Sequence, residues 1–148
     1  MSGYVPDRTA VIQLARLNVC PVVPPTQRPA TVALRTSLFH DAVAIVEQEY
    51  ASDLSLDDIA RRVASSRRQL QRAYAEIGGT TFRDHLTQVR MDRAAELLSA
   101  HGLTVREVAH RVGYRQPAQF AKAFRRHLGV APSGFRAGAG AMNTRAAA

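Results

Sequence analysis

The chain contains an internal duplication. Leu54-Ser55-Leu56-Asp57-Asp58-Ile59-Ala60-Arg61-Arg62-Val63 lies over Leu103-Thr104-Val105-Arg106-Glu107-Val108-Ala109-His110-Arg111-Val112 at an offset of 49 residues. The likeness resumes at an offset of 50, where Leu70, Arg72, Ala73, Tyr74 and Gly79 meet Phe120, Lys122, Ala123, Phe124 and Gly129. One residue has been added to the second copy, near a turn. Self-similarity of this kind means that one supersecondary unit occurs twice, so identifying the unit identifies most of the fold.

The unit reads as helical. Ser55-Leu56-Asp57-Asp58 and Thr104-Val105-Arg106-Glu107 have the form of capping boxes that open short helices. Upstream, Phe39, Val43, Val46 and Tyr50 recur at helical spacing and mark one face of a first helix, with Thr36 or Ser37 as its cap. Ala60 and Ala109 sit where a short helix must let a second one cross closely. Gly113 follows the second short helix, where positive φ makes a tight turn. Its counterpart in the first copy is Ala64, for which the same conformation costs on the order of 1 kcal/mol. The expected fold is all-α, with two helix-turn-helix modules, homeodomain-like three-helix units, joined by a long linker helix from about Thr81 to Ala100. About seven helices result. The expected divisions are a Pro-rich arm or linker over 1–36, a first module over 37–80, a linker helix over 81–100, a second module over 101–136 and a flexible Ala/Gly-rich tail over 137–148. Whether residues 1–36 form a functional arm or the remnant of a lost domain stays open.

Charge suggests the partner. The chain carries 20 Lys+Arg against 12 Asp+Glu, a formal charge of +8. The whole of that surplus resides in residues 54–136, with fifteen bases and seven acids, whereas residues 36–53 hold four acids and no base. Nineteen of the twenty bases are Arg, whose planar fork suits guanine edges and phosphates, although a GC-rich genome also supplies Arg codons. Cys20 is the only cysteine, so one chain can build neither an internal disulfide nor a thiolate zinc cluster. His40, His85, His101, His110 and His127 form no His-Glu-x-x-His pair, and neither a Gly-rich phosphate loop nor a nucleophile elbow occurs. No catalytic site, metal or cofactor is expected. No apolar run reaches the ~18 residues of a membrane span, and a cytoplasmic, nucleoid-associated protein is expected.

The helices after the two turns have unlike faces. Leu70, Ala73, Tyr74 and Ile77 form one stripe, and Arg68, Gln71, Arg72 and Ala75 the opposite one. In the second copy Phe120, Ala123, Phe124 and His127 pack or edge the core, leaving Ala118, Ala121, Lys122 and Arg125 outward with Gln119 at their margin. A solvated charged face would look similar in either copy taken alone; two copies of one layout within a basic segment point to DNA. A protein that uses the same fold to hold RNA polymerase or another regulator is the competing reading.

These residues resemble the DNA-binding domain of the AraC/XylS family of bacterial transcription regulators over residues 38–136. The linker helix shows Arg90, Ala94, Leu97 and Leu98 in the family's spacing. The second module carries Val105, Val108, Ala109, Gly113-Tyr114, Phe120, Phe124-Arg125, Gly129, Pro132 and Phe135-Arg136. The resemblance implies a sequence-specific regulator that inserts two recognition helices into successive major grooves of promoter or operator DNA. It also implies base-reading positions at Arg68, Gln71 and Arg72 in the first module, and at Pro117, Ala118, Gln119, Ala121 and Lys122 in the second. Pro117 and the alanines depart from a polar reader, which leaves Gln119 and Lys122 as base-contact candidates there. Arg67, Thr104, Arg115, Gln116, Arg125 and Arg126 are the phosphate-contact candidates. RNA polymerase is a further candidate partner, and a monomer could suffice because one chain holds both readers.

Overall fold

The computed structural model describes residues 28–100 and 102–145. Val11–Leu17, Cys20, most of the Pro-rich stretch and His101 lie outside these residues. Contacts divide the chain into a unit ending at Val32 and another beginning at Ala33. The buried core, from Leu38 to Phe124, belongs to the second.

Seven α-helices and no strand occur among the described residues: α1 (Pro29–Glu49), α2 (Leu56–Arg62), α3 (Arg67–Ala73), α4 (Phe82–Ser99), α5 (Val105–Arg111), α6 (Pro117–Leu128) and α7 (Pro132–Arg145). A π-helical turn, Tyr74–Gly78, extends α3. The first helix begins seven residues before the expected cap at Thr36. Proline is well suited to a first helical position because the N–H it lacks would have no intrahelical partner, and Ala30, Ala33, Leu34 and Arg35 continue as good helix formers. Its buried stripe is Leu38, Ala42 and Val46, with Phe39, Ile45 and Tyr50 packed at the edges. Val43, expected on that face, is rotated to its margin and only half-buried.

The duplication persists in the backbone hydrogen bonds. After α2, the amides of Val63, Ala64 and Ser65 donate to the carbonyls of Ile59, Arg61 and Ala60; after α5, those of Val112, Gly113 and Tyr114 donate to Val108, His110 and Ala109. Both turns reverse the chain through a residue at positive φ, Ala64 at 51° and Gly113 at 86°. The extra residue of the second copy lies in this turn. The short helices are capped at Ser55 and Thr104, 49 apart, but the following helices at Ser66 and Gln116, 50 apart.

Two apolar clusters result, and α4 belongs to both. Leu86 from its first half joins Ala42, Val46, Ile59, Ala60, Leu70 and Tyr74. Met91, Ala94 and Leu98 from its second half join Val108, Ala109, Val112, Phe120 and Phe124. The linker helix is therefore a shared wall, and its observed extent, with caps at Thr81 and Ala100, matches that expected. On the far side α7 closes the second cluster. Pro132 is buried, and Phe135 meets Phe124 edge-on with ring centroids 5.5 Å apart. The helix continues to Arg145, past Arg136, where the composition suggested that order ends. Alanine is the strongest helix former, and it outweighs the scattered glycines there.

Candidate nucleic-acid interface

The first recognition helix is set by Ser66. Its hydroxyl accepts from the Gln69 amide at 3.2 Å while the Gln69 side-chain oxygen accepts from the Ser66 amide at 3.4 Å, a complete capping box. The Ser-x-x-Gln spacing of this box is present in the sequence, though unlike the boxes at Ser55 and Thr104 it closes on an amide and not on an acid. Ser55 is only half of the expected box, because the Asp58 carboxylate accepts from the serine hydroxyl instead of the backbone. That hydroxyl, together with nearby Arg61, holds the Asp58 carboxyl below its usual range.

From this start, Leu70, Ala73 and Tyr74 are buried, and Arg68, Gln71, Arg72 and Ala75 are exposed together on the other side. The C-terminal end is anchored. Phe39 lies so close over Gly78 that a β-carbon there would stand 2.5 Å from its ring. The Tyr74 hydroxyl lies 3.3 Å from Nδ1 of His85 on α4. Burial pushes the Tyr74 phenol up to about 12 and the His85 imidazole down.

The second recognition helix opens with Pro117, and Gln116 caps it without a side-chain bond, so that the Gln116 amide is uncommitted in the capping. Phe120 and Phe124 are fully buried. Ala118, Gln119, Lys122, Arg125 and Arg126 are exposed and Ala121 is half-exposed. His127, expected to pack or edge the core, is exposed instead; the apolar Ala123 and Leu128 pack against the cluster on that helix.

Ion pairs hold some of the cations. Arg35, Arg61, Arg62 and Arg93 are held by Glu76, Asp58, Glu49 and Glu96. Among the described residues, Arg68, Arg72, Arg83, Lys122, Arg125 and Arg126 have no carboxylate partner, and neither do Arg90, Arg106, Arg111 and Arg136 elsewhere. The outward faces of both recognition helices are thus left positive. Two phosphate candidates are occupied: Arg67 pairs with Asp57 at 3.1 Å and Arg115 with Asp53 at 3.5 Å. Both pairs are exposed and weak, so a polyanion can displace the carboxylates. Thr104 is committed more firmly. Its amide and hydroxyl both donate to the Glu107 carboxylate, each at 2.7 Å, and its hydroxyl accepts from the Glu107 amide. Bonds from Thr104 hold the Glu107 carboxyl below its usual range, so an anion already stands where a phosphate would have to bind.

One group had no role in the sequence beyond its spacing. Arg90 of α4 donates from Nε to the Tyr50 carbonyl at 2.7 Å and from a terminal nitrogen to the Ser52 carbonyl at 2.9 Å, both in the turn after α1. Its guanidinium also stands 5.6 Å from the centre of the Tyr114 ring, in the turn after α5. Beside it, a β-carbon on Gly113 would lie 2.7 Å from the Ala51 carbonyl oxygen. The turn of the second module is therefore docked on the first, with Arg90 bonded between them.

A family model described as "Helix-turn-helix domain" matches residues 59–138. Its span takes in both turns, the shared helix and both exposed recognition faces. The chain belongs to the AraC-type helix-turn-helix family. Among AraC-type structures, a transcriptional regulator from Chromobacterium violaceum superposes with a TM-score of 0.67 at 29% identity, covering 72% of this chain and 96% of that one. The DNA-binding domain of AdpA, solved in complex with a target DNA, gives 0.62 at 30% identity, covering 68% and 90%. In sequence, the Msm operon regulatory protein of Streptococcus mutans is 33% identical over 92 residues, 62% of this chain and 33% of that regulator. The chain spans about a third of the length of such operon regulators. The relatives are transcription regulators, not enzymes. No described helix is long and apolar enough to cross a membrane, and the described residues hold no cluster of three or more His, Cys, Asp or Glu side chains able to bind a metal.

Proposed function

We propose that the chain regulates transcription by sequence-specific binding to double-stranded DNA, with α3 and α6 in successive major grooves and residues 37–136 as the binding segment. The observation that carries this reading is the cluster of unpaired cations on both recognition faces. Arg35, Arg61, Arg62 and Arg93 are held by carboxylates, whereas Arg68 and Arg72 on the outward face of α3 and Lys122, Arg125 and Arg126 on that of α6 are exposed together and pair with no carboxylate among the described residues. Such a face is costly in self-repulsion unless a polyanion meets it. Arg68, Gln71 and Arg72 offer bidentate bonds to guanine or adenine edges; Gln119 and Lys122 are the corresponding groups on α6. Arg125, Arg126 and Gln116 are free for phosphates, Arg67 and Arg115 become so when their carboxylates yield, and Thr104 leaves the set. The 18 residues of α4 extend ~27 Å, comparable to the ~34 Å between successive major grooves on one face of the duplex. One chain can therefore span two half-sites.

Selection of binding sites from genomic fragments followed by footprinting tests this. The expected footprint covers two major-groove segments on one face per chain, and affinity falls steeply with salt. Protection of a single groove would overturn the two-reader arrangement, and affinity indifferent to salt would favour a protein partner instead.

A further inference from the structure

Between the two recognition helices lies a cation that neither helix supplies. Arg83, in the first turn of α4, is exposed and lines two clefts at once. One, of about 620 Å³, opens beside α3 and includes Arg67, Gln71 and Ala75 in its wall. The other, of about 500 Å³, lies between α4 and α6 and is lined also by Thr87, Gln88, Gln119, Lys122 and Arg126. Arg83 is the residue common to both.

The second cleft is built for an anion. Arg83, Lys122 and Arg126 contribute three positive charges and pair with no carboxylate among the described residues. The acid in its wall, Asp84, is held by the Thr81 hydroxyl at 2.7 Å. Gln88 adds a neutral donor one turn further along α4, beside Thr87, which bonds to Tyr114. Arg83 is also positioned: its neighbour Phe82 meets the Tyr74 ring edge-on at 6.0 Å, and Leu86 is buried in the first cluster. The turn that bears it is therefore fixed relative to α3.

Resting on the DNA-binding reading above, we propose that Arg83 and the cleft between α4 and α6 form a third DNA contact, a seat for phosphodiester groups of the backbone that passes between the two half-sites. The contact grips without reading bases, because a phosphate is the same in every sequence. It sets the protein's register at the centre of the site, where neither recognition helix reaches.

The test uses the full chain, Arg83→Gln, Arg83→Lys and, as a control away from the cleft, Arg93→Gln, titrated over a salt series on the selected site and on a scrambled duplex. Arg83→Gln is expected to lose affinity by the same factor on both duplexes and to reduce the slope of log K against log salt by about 0.9, one phosphate's worth. Arg83→Lys restores the slope, and Arg93→Gln leaves it unchanged. A second arm places neutral methylphosphonate linkages one at a time along the site. The wild type loses affinity at a linkage between the half-sites, and Arg83→Gln loses nothing more there. An unchanged slope in a folded Arg83→Gln protein, or equal losses for both proteins at every central linkage, overturns the third contact and leaves the two-reader model standing. Competition by inorganic phosphate with no effect of the central methylphosphonates makes the cleft a free-anion site and overturns the proposal too. If the wild type itself shows no salt-dependent affinity for duplex, the DNA-binding reading fails first.

Discussion

Ala64 and Gly113 occupy equivalent turns with the same hydrogen bonds, yet one is alanine and the other glycine. Positive φ alone does not explain the difference, since both have it. Close approach does: Gly113 faces the Ala51 carbonyl, with a hypothetical β-carbon at 2.7 Å and the Arg90 guanidinium at 3.0 Å, whereas Ala64 is exposed. Gly113→Ala adds overpacking to backbone strain and should destabilise the protein by about 2 to 4 kcal/mol. Ala64→Gly relieves strain but frees the unfolded chain, so its net effect should lie between ~0 and ~1 kcal/mol in the stabilising direction. Denaturant melts of both variants check the contrast; equal and small effects would mean that the second turn is not docked. The sequence showed that both residues stand at a left-handed turn, because the duplication aligned them. It did not show the neighbour, because Ala51 is 62 positions away and its carbonyl carries no side-chain signature.

At the scale of elements, caps and apolar stripes were legible where the signal is local. Thr81 and Ala100 bound α4 as expected, and the Thr104 box is complete. The stripe of α1 was misplaced by one position because Leu38, Phe39, Ala42, Val43 and Val46 allow two adjacent faces, and packing against α2 and α3 decides between them. The joint between modules was not legible at all. Arg90 makes it with backbone carbonyls of Tyr50 and Ser52, for which no sequence pattern exists. Half-burial lowers the pKa of its guanidinium from the usual value, consistent with a group whose place is structural. This bond should fix the angle between α3 and α6 and so the spacing of half-sites that one chain tolerates. The wild type should bind its selected site much better than a version with one base pair inserted between the halves. Arg90→Met keeps the apolar bulk and removes the bonds, and should bring the two affinities closer together while base preference within each half is retained. A penalty for insertion equal to that of the wild type would show that other contacts hold the joint.

At the scale of the whole molecule, the two readers share a fold but not a chemistry. α3 presents Arg68, Gln71 and Arg72, all exposed, with no carboxylate partner for either arginine among the described residues. Each good bidentate pair with a base edge supplies roughly 1 to 3 kcal/mol of discrimination. α6 presents Pro117, Ala118 and Ala121 at the corresponding places, where side chains can give apolar contact to a thymine methyl at most, and then Lys122, Arg125 and Arg126. Gln119 is the one planar amide among them. The first module should therefore carry most of the base preference and the second mainly the grip on the backbone, which fixes register without reading sequence. Arg72→Ala should relax preference in one half of the selected site. Arg125→Ala should weaken all duplexes alike and reduce the salt slope by about 0.9. Neither side chain packs in the core, so both variants should melt like the wild type. Repeating the site selection with each variant decides the matter: equally sharp preference under both modules of the wild type, or preference unchanged in Arg72→Ala, would show that base reading is shared evenly.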